Sequence, residues 1–151
     1  MTRLEEALFE LRLMLRFDAL VQRCGALSPD ELDLAALLRC LDDGTQHHEV
    51  MWGLLHLIES FETTHRLRTL LVESAGLSAT ARDWLDLMVV RTLNHPTEAS
   101  SLLSVLLDHH EDECRHVDDA LARIAEANKA PAAKARAVRV AVSAQRGTRR
   151  T

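Results

Sequence analysis

The sequence predicts an all-α protein, on three observations. Apolar residues recur along the whole chain at the three- and four-residue spacing of a helix. Capping residues, glycines and prolines divide this pattern into elements of roughly ten to twenty residues, and no Asn-Gly hairpin turn occurs. Because the connections are short, consecutive helices should run antiparallel. The sequence therefore predicts an antiparallel multi-helix bundle or a short α-solenoid of helical hairpins, and without an exact internal repeat both remain open.

Two helices are predicted in the first 44 residues. Thr2 and Glu5 have the spacing of a capping box, and the first helix should continue until Gly25. Its apolar stripe consists of Leu4, Leu8, Leu11 and Leu15. The second helix opens with Ser28 as its N-cap, has a proline at its first helical position, and closes on Gly44.

Two more helices are predicted in the middle of the chain. Thr45 should cap a helix that runs to about Phe61. Thr63 or Thr64 should begin the next helix, which ends at Gly76.

Further helices follow in the second half. Ser78 is the predicted cap of a helix that Pro96 stops, because the residue before a proline is pushed out of the helical region. Thr97 begins another helix, which the polar block at 108–113 should break. After Pro131, the stretch from Ala132 can form a last basic helix, although part of it also alternates like a strand, and the end from Arg146 is predicted to be disordered.

Charge divides the chain into an acidic body and a basic tail. The formal net charge of −5 conceals a segment, 132–151, that has six basic residues and no acidic one. Residues 1–131 then carry 12 basic and 23 acidic residues, a formal charge of −11. Such a body should repel nucleic acid and attract basic protein partners, unless the charge serves solubility alone. The tail could fold back on the body, bind an anionic partner, or remain a solvated terminus.

Several features favour a cytoplasmic protein. No apolar run approaches the roughly 18 residues of a membrane span, and the N-terminus becomes acidic too soon for a signal peptide. Cys24, Cys40 and Cys114 are an odd number of cysteines, lie far apart and form no Cys-x-x-Cys pair. They indicate reduced thiols rather than a disulfide framework.

The histidines do not build a convincing metal centre or catalytic site. Two Glu-x-x-His sequences occur, at 62–65 and 113–116, and di-metal helical bundles use such spacings. The first crosses a predicted helix boundary, and the second lies in a polar block that should face solvent. The donor cluster at 109–116 could at most bind a metal weakly. With no phosphate-binding loop or nucleophile motif either, we expect no cofactor, no metal and no enzymatic activity.

The two tryptophans occupy different positions on their helices. On a helical wheel Trp84 falls at the edge of the apolar arc, which is typical of a core residue. Trp52 falls opposite the apolar stripe of its helix, among Glu49, His56 and Glu59. A tryptophan in polar surroundings is typical of a protein-binding hot spot. The alternative is that another helix or the tail covers it.

Two segments resemble the immunity protein 30 family of bacterial polymorphic toxin systems. They are "DDGTQHHEVMWGLLHLIESFE" and, about twenty residues later, "ARDWLDLMVVRTLNHP". The resemblance covers roughly residues 34–125, and the tail after Pro131 departs from it. The matching residues are His48, Glu49, Val50, Met51, Trp52, Leu54, His56, Glu59, Ser60, Phe61, Trp84, Arg91, Leu93 and Asn94.

The resemblance implies an all-helical protein that binds a cognate toxin domain and blocks it, protecting the producing cell. The partner would be basic, for example a nuclease, because the body is acidic. We expect the contact at the Trp52 surface, defined as Glu49, Trp52, His56, Glu59 and Glu62. A second acidic surface is the other candidate and comprises Asp108, Glu111, Asp112, Glu113, Asp118 and Asp119. A general helical adaptor without a toxin partner is the alternative function, and a basic tail that binds nucleic acid is a further one.

Overall fold

The computed structural model describes residues 33–149 without a gap, together with residues 3–5, 16, 18–19 and 22–23. Those earlier described residues are helical, but the predicted caps at Thr2 and Ser28 and the predicted end at Gly25 lie outside the described residues. Residues 33–149 form helices without a strand, which confirms the predicted all-α class. The helices are α1 (Leu34–Arg39), α2 (His48–Glu59), α3 (Thr63–Thr80), α4 (Arg82–Asn94), α5 (Glu98–Asp108), α6 (Glu111–Glu126) and α7 (Ala132–Arg149).

Helix α3 is the centre of the arrangement. It contacts α1, α2, α4, α5 and α6. Helices two apart along the chain also contact each other, as in stacked helical hairpins, and the contact of α3 with α6 closes the group into a bundle. One apolar core extends through the bundle from Leu34 to Val138. None of the helices in the described part of the chain has both the length and the hydropathy needed to cross a membrane.

The start of α2 and the start of α3 lie close to their predicted positions. Helix α2 begins after His47, and the hydroxyl of Thr45 accepts the His47 backbone N–H at 3.1 Å instead of capping the helix itself. Helix α3 begins at Thr63, and its N-cap is Glu62. The carboxylate of Glu62 accepts the N–H groups of Thr64 at 2.9 Å and His65 at 2.8 Å.

The predicted boundary at Gly76 and Ser78 is wrong. Helix α3 continues through both residues to Thr80, and the chain leaves the helical conformation only at Ala81. The cap of α4 comes from Asp43, whose carboxylate accepts the N–H groups of Asp83 at 3.0 Å and Trp84 at 3.4 Å. Because the capping side chain lies about forty residues earlier in the sequence, no local sequence pattern predicts this cap.

Two substitutions test this boundary. Asp43→Ala should lower the free energy of unfolding by about 1 kcal/mol, because the first turn of α4 loses its only side-chain acceptor among the described residues. Ser78→Ala should leave it nearly unchanged, because Ser78 lies inside α3 and alanine favours helix. Urea denaturation followed by circular dichroism measures both changes. Equal losses for the two variants would contradict the assignment.

The later boundaries agree with the sequence. Helix α4 ends at Asn94 before Pro96, and Thr97 is the N-cap of α5, as predicted. The polar block breaks the chain at His109 and His110, after which α6 begins. The carboxylate of Glu113 accepts the backbone N–H of His110 at 3.0 Å, which stabilises this start.

The basic tail folds against the body as α7. Ala132, Ala135 and Val138 are buried, and the helix contacts α5 and α6. Disorder was predicted from Arg146 onwards, but the helix continues to Arg149.

Basic side chains hold α7 in place. Arg139 forms a bidentate ion pair with Asp118, at 2.9 and 3.3 Å. Arg146 donates to the carbonyl of Leu106 at 2.8 Å, and Arg149 donates to that of Leu107 at 3.2 Å. These carbonyls belong to the last turn of α5, where helix C=O groups lack intrahelical partners and carry partial negative charge. The contacts explain why the helix extends to Arg149.

Candidate protein-binding surface

The face of α2 that points away from the core carries Trp52. The indole is 39% exposed, and Glu49 and His56 on the same face are exposed as well. The opposite face is buried and consists of Val50, Met51, Leu54, Leu55 and Ile58. Trp52 is therefore a surface residue, but about three fifths of it is covered, and its neighbours include Trp84 and Arg91 of α4 and His56 of α2 itself.

Trp84 of α4 supports one side of Trp52. The two ring centroids are 5.6 Å apart with an interplanar angle of 76°, which is the edge-to-face geometry that aromatic pairs favour. Trp84 itself is only 5% exposed, so the sequence prediction of a core residue is confirmed. Its indole N–H donates to the backbone carbonyl of Asp42 at 3.3 Å, which satisfies the one polar atom of the ring.

Arg91 of α4 supports Trp52 from another side. The guanidinium carbon lies 5.8 Å from the centroid of the Trp52 ring, within the range of a cation–π contact. The same guanidinium forms a bidentate ion pair with Glu59, through Nε to Oε1 and through Nη2 to Oε2 at 2.8 Å. Hydrogen bonding to Glu59 raises the pKa of Arg91 above its ordinary value, so Arg91 stays charged. Sequence reasoning did not assign Arg91 a role, because no pattern on α2 indicates which side chain of α4 meets it.

The five residues of the Trp52 surface divide into two groups. Glu49, Trp52 and His56 are exposed on α2. Glu59 and Glu62 are already bonded within the chain, Glu59 to Arg91 and Glu62 to the N-terminus of α3. Hydrogen bonds from the backbone N–H groups of His65 and Thr64 lower the pKa of Glu62. Arg91 therefore neutralises one of the three carboxylates of this surface, whereas Glu49 and Glu62 remain exposed.

A cleft of about 500 Å³ lies beside this surface. Its apolar lining includes Leu67 and Met88, and its polar lining includes Glu59, Arg91 and an ion pair between Arg66 and Glu98 at 2.8 Å. Arg66 is only 7% exposed. Burial by itself raises the pKa of Glu98, but the hydrogen bond and the charge of Arg66 outweigh it and hold that pKa below its ordinary value.

The second acidic surface is partly neutralised by other side chains. Asp118 pairs with Arg139 of α7, Glu113 caps α6, and Asp108 lies 3.9 Å from Arg68. Glu111 and Asp112 line clefts that α7 also lines. Asp119 is exposed. Much of this acidic charge thus faces the basic tail of the same chain.

The described residues hold no group of three or more His, Cys, Asp and Glu side chains placed to share a metal ion. In the first Glu-x-x-His sequence, the carboxylate of Glu62 bonds the backbone of His65, not a position that both side chains share. Cys114 is buried, and burial raises the pKa of its thiol although Arg146 partly offsets this.

Comparison with known proteins adds a family. The sequence model described as "Immunity protein 30" matches residues 5–102, about two thirds of the chain. Searches of curated proteins and of solved structures gave no significant match. The match starts and ends earlier than the resemblance in the sequence suggested. It includes Trp52, Glu59, Trp84 and Arg91, whereas the second acidic surface and α7 lie beyond it. The chain belongs to the immunity protein 30 family.

Proposed function

We propose that this protein binds and neutralises a cognate toxin domain, which protects the producing cell, and that the Trp52 surface makes the contact. The observation that carries the proposal is the partial exposure of Trp52 between two supports, Trp84 and Arg91, inside the part of the chain that matches the family. The role is binding, with no chemical step assigned to the chain.

The supports of Trp52 favour tight binding. A large apolar side chain loses rotamer freedom when it is buried in a complex, and this loss reduces affinity. Trp52 is already held by the edge of Trp84 and by the guanidinium of Arg91, so less freedom remains to be lost. Tryptophan is among the residues most enriched at binding hot spots, which dominate the energetics of interfaces.

The net negative charge of the chain favours a basic partner through long-range electrostatic attraction. Residues 33–102 hold ten carboxylates and five arginines, a formal charge of −5. A net negative protein attracts a positively charged domain and accelerates their encounter, with an effect that weakens as salt increases. A basic toxin domain, for example a nuclease, fits this field.

Replacing Trp52 tests the proposal directly. Trp52→Ala should weaken binding to the cognate toxin domain by about 2 kcal/mol or more, roughly thirtyfold in Kd. The free energy of unfolding should fall by only about 1 to 2 kcal/mol, because the variant loses one aromatic contact and one cation–π contact at a partly exposed site. Isothermal titration calorimetry and urea denaturation measure the two quantities.

Val72→Ala is the matched control, because Val72 is an apolar side chain on α3 that is 74% exposed. It should bind as the unchanged protein does. Equal affinities for Trp52→Ala and Val72→Ala would place the interface elsewhere. A complete failure of the unchanged protein to bind the toxin domain would favour the general helical adaptor.

A further inference from the structure

Arg91 connects the two helices that form the Trp52 surface. Its guanidinium bonds Glu59 of α2 through two nitrogen atoms and lies over the indole of Trp52, also on α2. Because a guanidinium is planar and its two bonds to a carboxylate fix its plane, Arg91 cannot rotate away from Trp52 without breaking the pair. Glu59 therefore acts on Trp52 through Arg91.

This arrangement removes the negative charge that lies directly beside the indole. The carboxylate of Glu59 is neutralised by its bidentate pair with Arg91. Glu62 stays charged and exposed, because the N–H groups of the first turn of α3 stabilise its carboxylate. Glu49 is also exposed, and it lies 3.7 Å from Nδ1 of His47.

Two hydrogen-bond donors at this surface have no partner within the described residues. They are Nη1 of Arg91, whose side chain is 38% exposed, and the indole N–H of Trp52. A guanidinium nitrogen donates to an oxygen acceptor, whether a main-chain carbonyl or a carboxylate. The surface thus offers an apolar ring and a fixed donor next to each other.

Resting on the proposed function, we infer that Glu59 and Arg91 position Trp52, and that this surface fits a toxin face with an apolar recess bordered by an oxygen acceptor. The indole of Trp52 enters the recess and Nη1 of Arg91 donates to the acceptor. The net charge of the chain then acts on the encounter, while the contact itself depends little on salt. The net charge of the partner therefore affects the association rate, whereas the recess and the acceptor determine the dissociation rate.

The test measures association and dissociation rates of the full chain and the purified toxin domain at low and high salt. Salt should slow association several-fold and leave the dissociation rate nearly unchanged. Arg91→Lys keeps the charge but loses the fork geometry, so dissociation should accelerate about tenfold. Glu59→Gln should accelerate dissociation too, because it releases Arg91. Glu49→Gln should change association alone.

Arg123→Lys is the matched control, because Arg123 forms a bidentate pair with Asp86 between α6 and α4, away from Trp52. It should lower the melting temperature about as much as Arg91→Lys without changing either rate. In a Trp52→Ala background, Arg91→Lys should have a smaller effect on dissociation, because only the loss of its own bond to the acceptor remains, and a purely structural role would not produce this coupling.

The outcomes separate the inference from the proposed function. If the unchanged chain does not bind the toxin domain, the proposed function fails. If it binds, but Glu49→Gln accelerates dissociation more than Arg91→Lys does, or dissociation accelerates steeply with salt, the inference alone is wrong. A dissociation rate of Arg91→Lys equal to that of Arg123→Lys would also overturn it.

Discussion

Removing α7 should unfold much of the bundle. A chain that ends at Pro131 is expected to lose at least about 4 kcal/mol in the free energy of unfolding, mainly through the apolar surface that it exposes. The deletion removes the buried side chains of Ala132, Ala135 and Val138 and uncovers the apolar surface of α5 and α6 beneath them. It also leaves Asp118 and the last carbonyls of α5 without their arginine partners.

A chain that ends at Arg149 is the control, since it keeps every α7 contact described above and loses only the last two residues. Thermal and urea denaturation followed by circular dichroism compare the two truncated chains with the full chain. The control should match the full chain. If the chain that ends at Pro131 has the same denaturation midpoint as the full chain, the proposed role of α7 in the core is contradicted.

Trp84→Ala should be the most damaging substitution at the α2 and α4 contact. Trp84 is 5% exposed, supports Trp52 and bonds the backbone of Asp42 through its indole N–H. Its removal leaves a large cavity, and such substitutions cost about 3 to 5 kcal/mol. Trp84→Phe should lower the free energy of unfolding less, because phenylalanine keeps an aromatic ring in the buried site. Some loss should remain, because the hydrogen bond to Asp42 is gone.

The two tryptophans should then give opposite results. Trp84→Ala should strongly lower the urea midpoint, whereas Trp52→Ala should affect it little and should act on binding instead. Urea denaturation of both variants gives the comparison. Similar midpoints would mean that the difference in exposure between the two rings does not reflect a difference in their contributions to folding.

Most of the fold could be predicted from the sequence because the relevant signals are local. Helical periodicity and the proline at position 96 each act within a few residues. The boundary between α3 and α4 could not be predicted, since Gly76 and Ser78 resemble a helix end and a helix start. The residue that caps α4 is Asp43, which is distant in sequence and adjacent only after folding.

The Trp52 surface shows the same limit. A helical wheel of α2 predicts that Trp52 faces away from the core, and the structure confirms that position. The wheel cannot show that Arg91 of another helix neutralises Glu59, nor that Glu62 caps α3. The sequence likewise does not show that Arg139 of α7 pairs with Asp118 of the second acidic surface. In each case the sequence identifies the charged group, and the tertiary structure determines what it binds.

The most direct test of neutralisation is bacterial growth. The cognate toxin domain would be expressed alone, with the unchanged chain, with Trp52→Ala and with Val72→Ala, at equal and verified levels of folded protein. We predict that the toxin stops growth, that the unchanged chain and Val72→Ala restore it, and that Trp52→Ala does not. Growth arrest that the unchanged chain fails to relieve would contradict neutralisation, and full rescue by Trp52→Ala would contradict the assignment of the Trp52 surface as the interface.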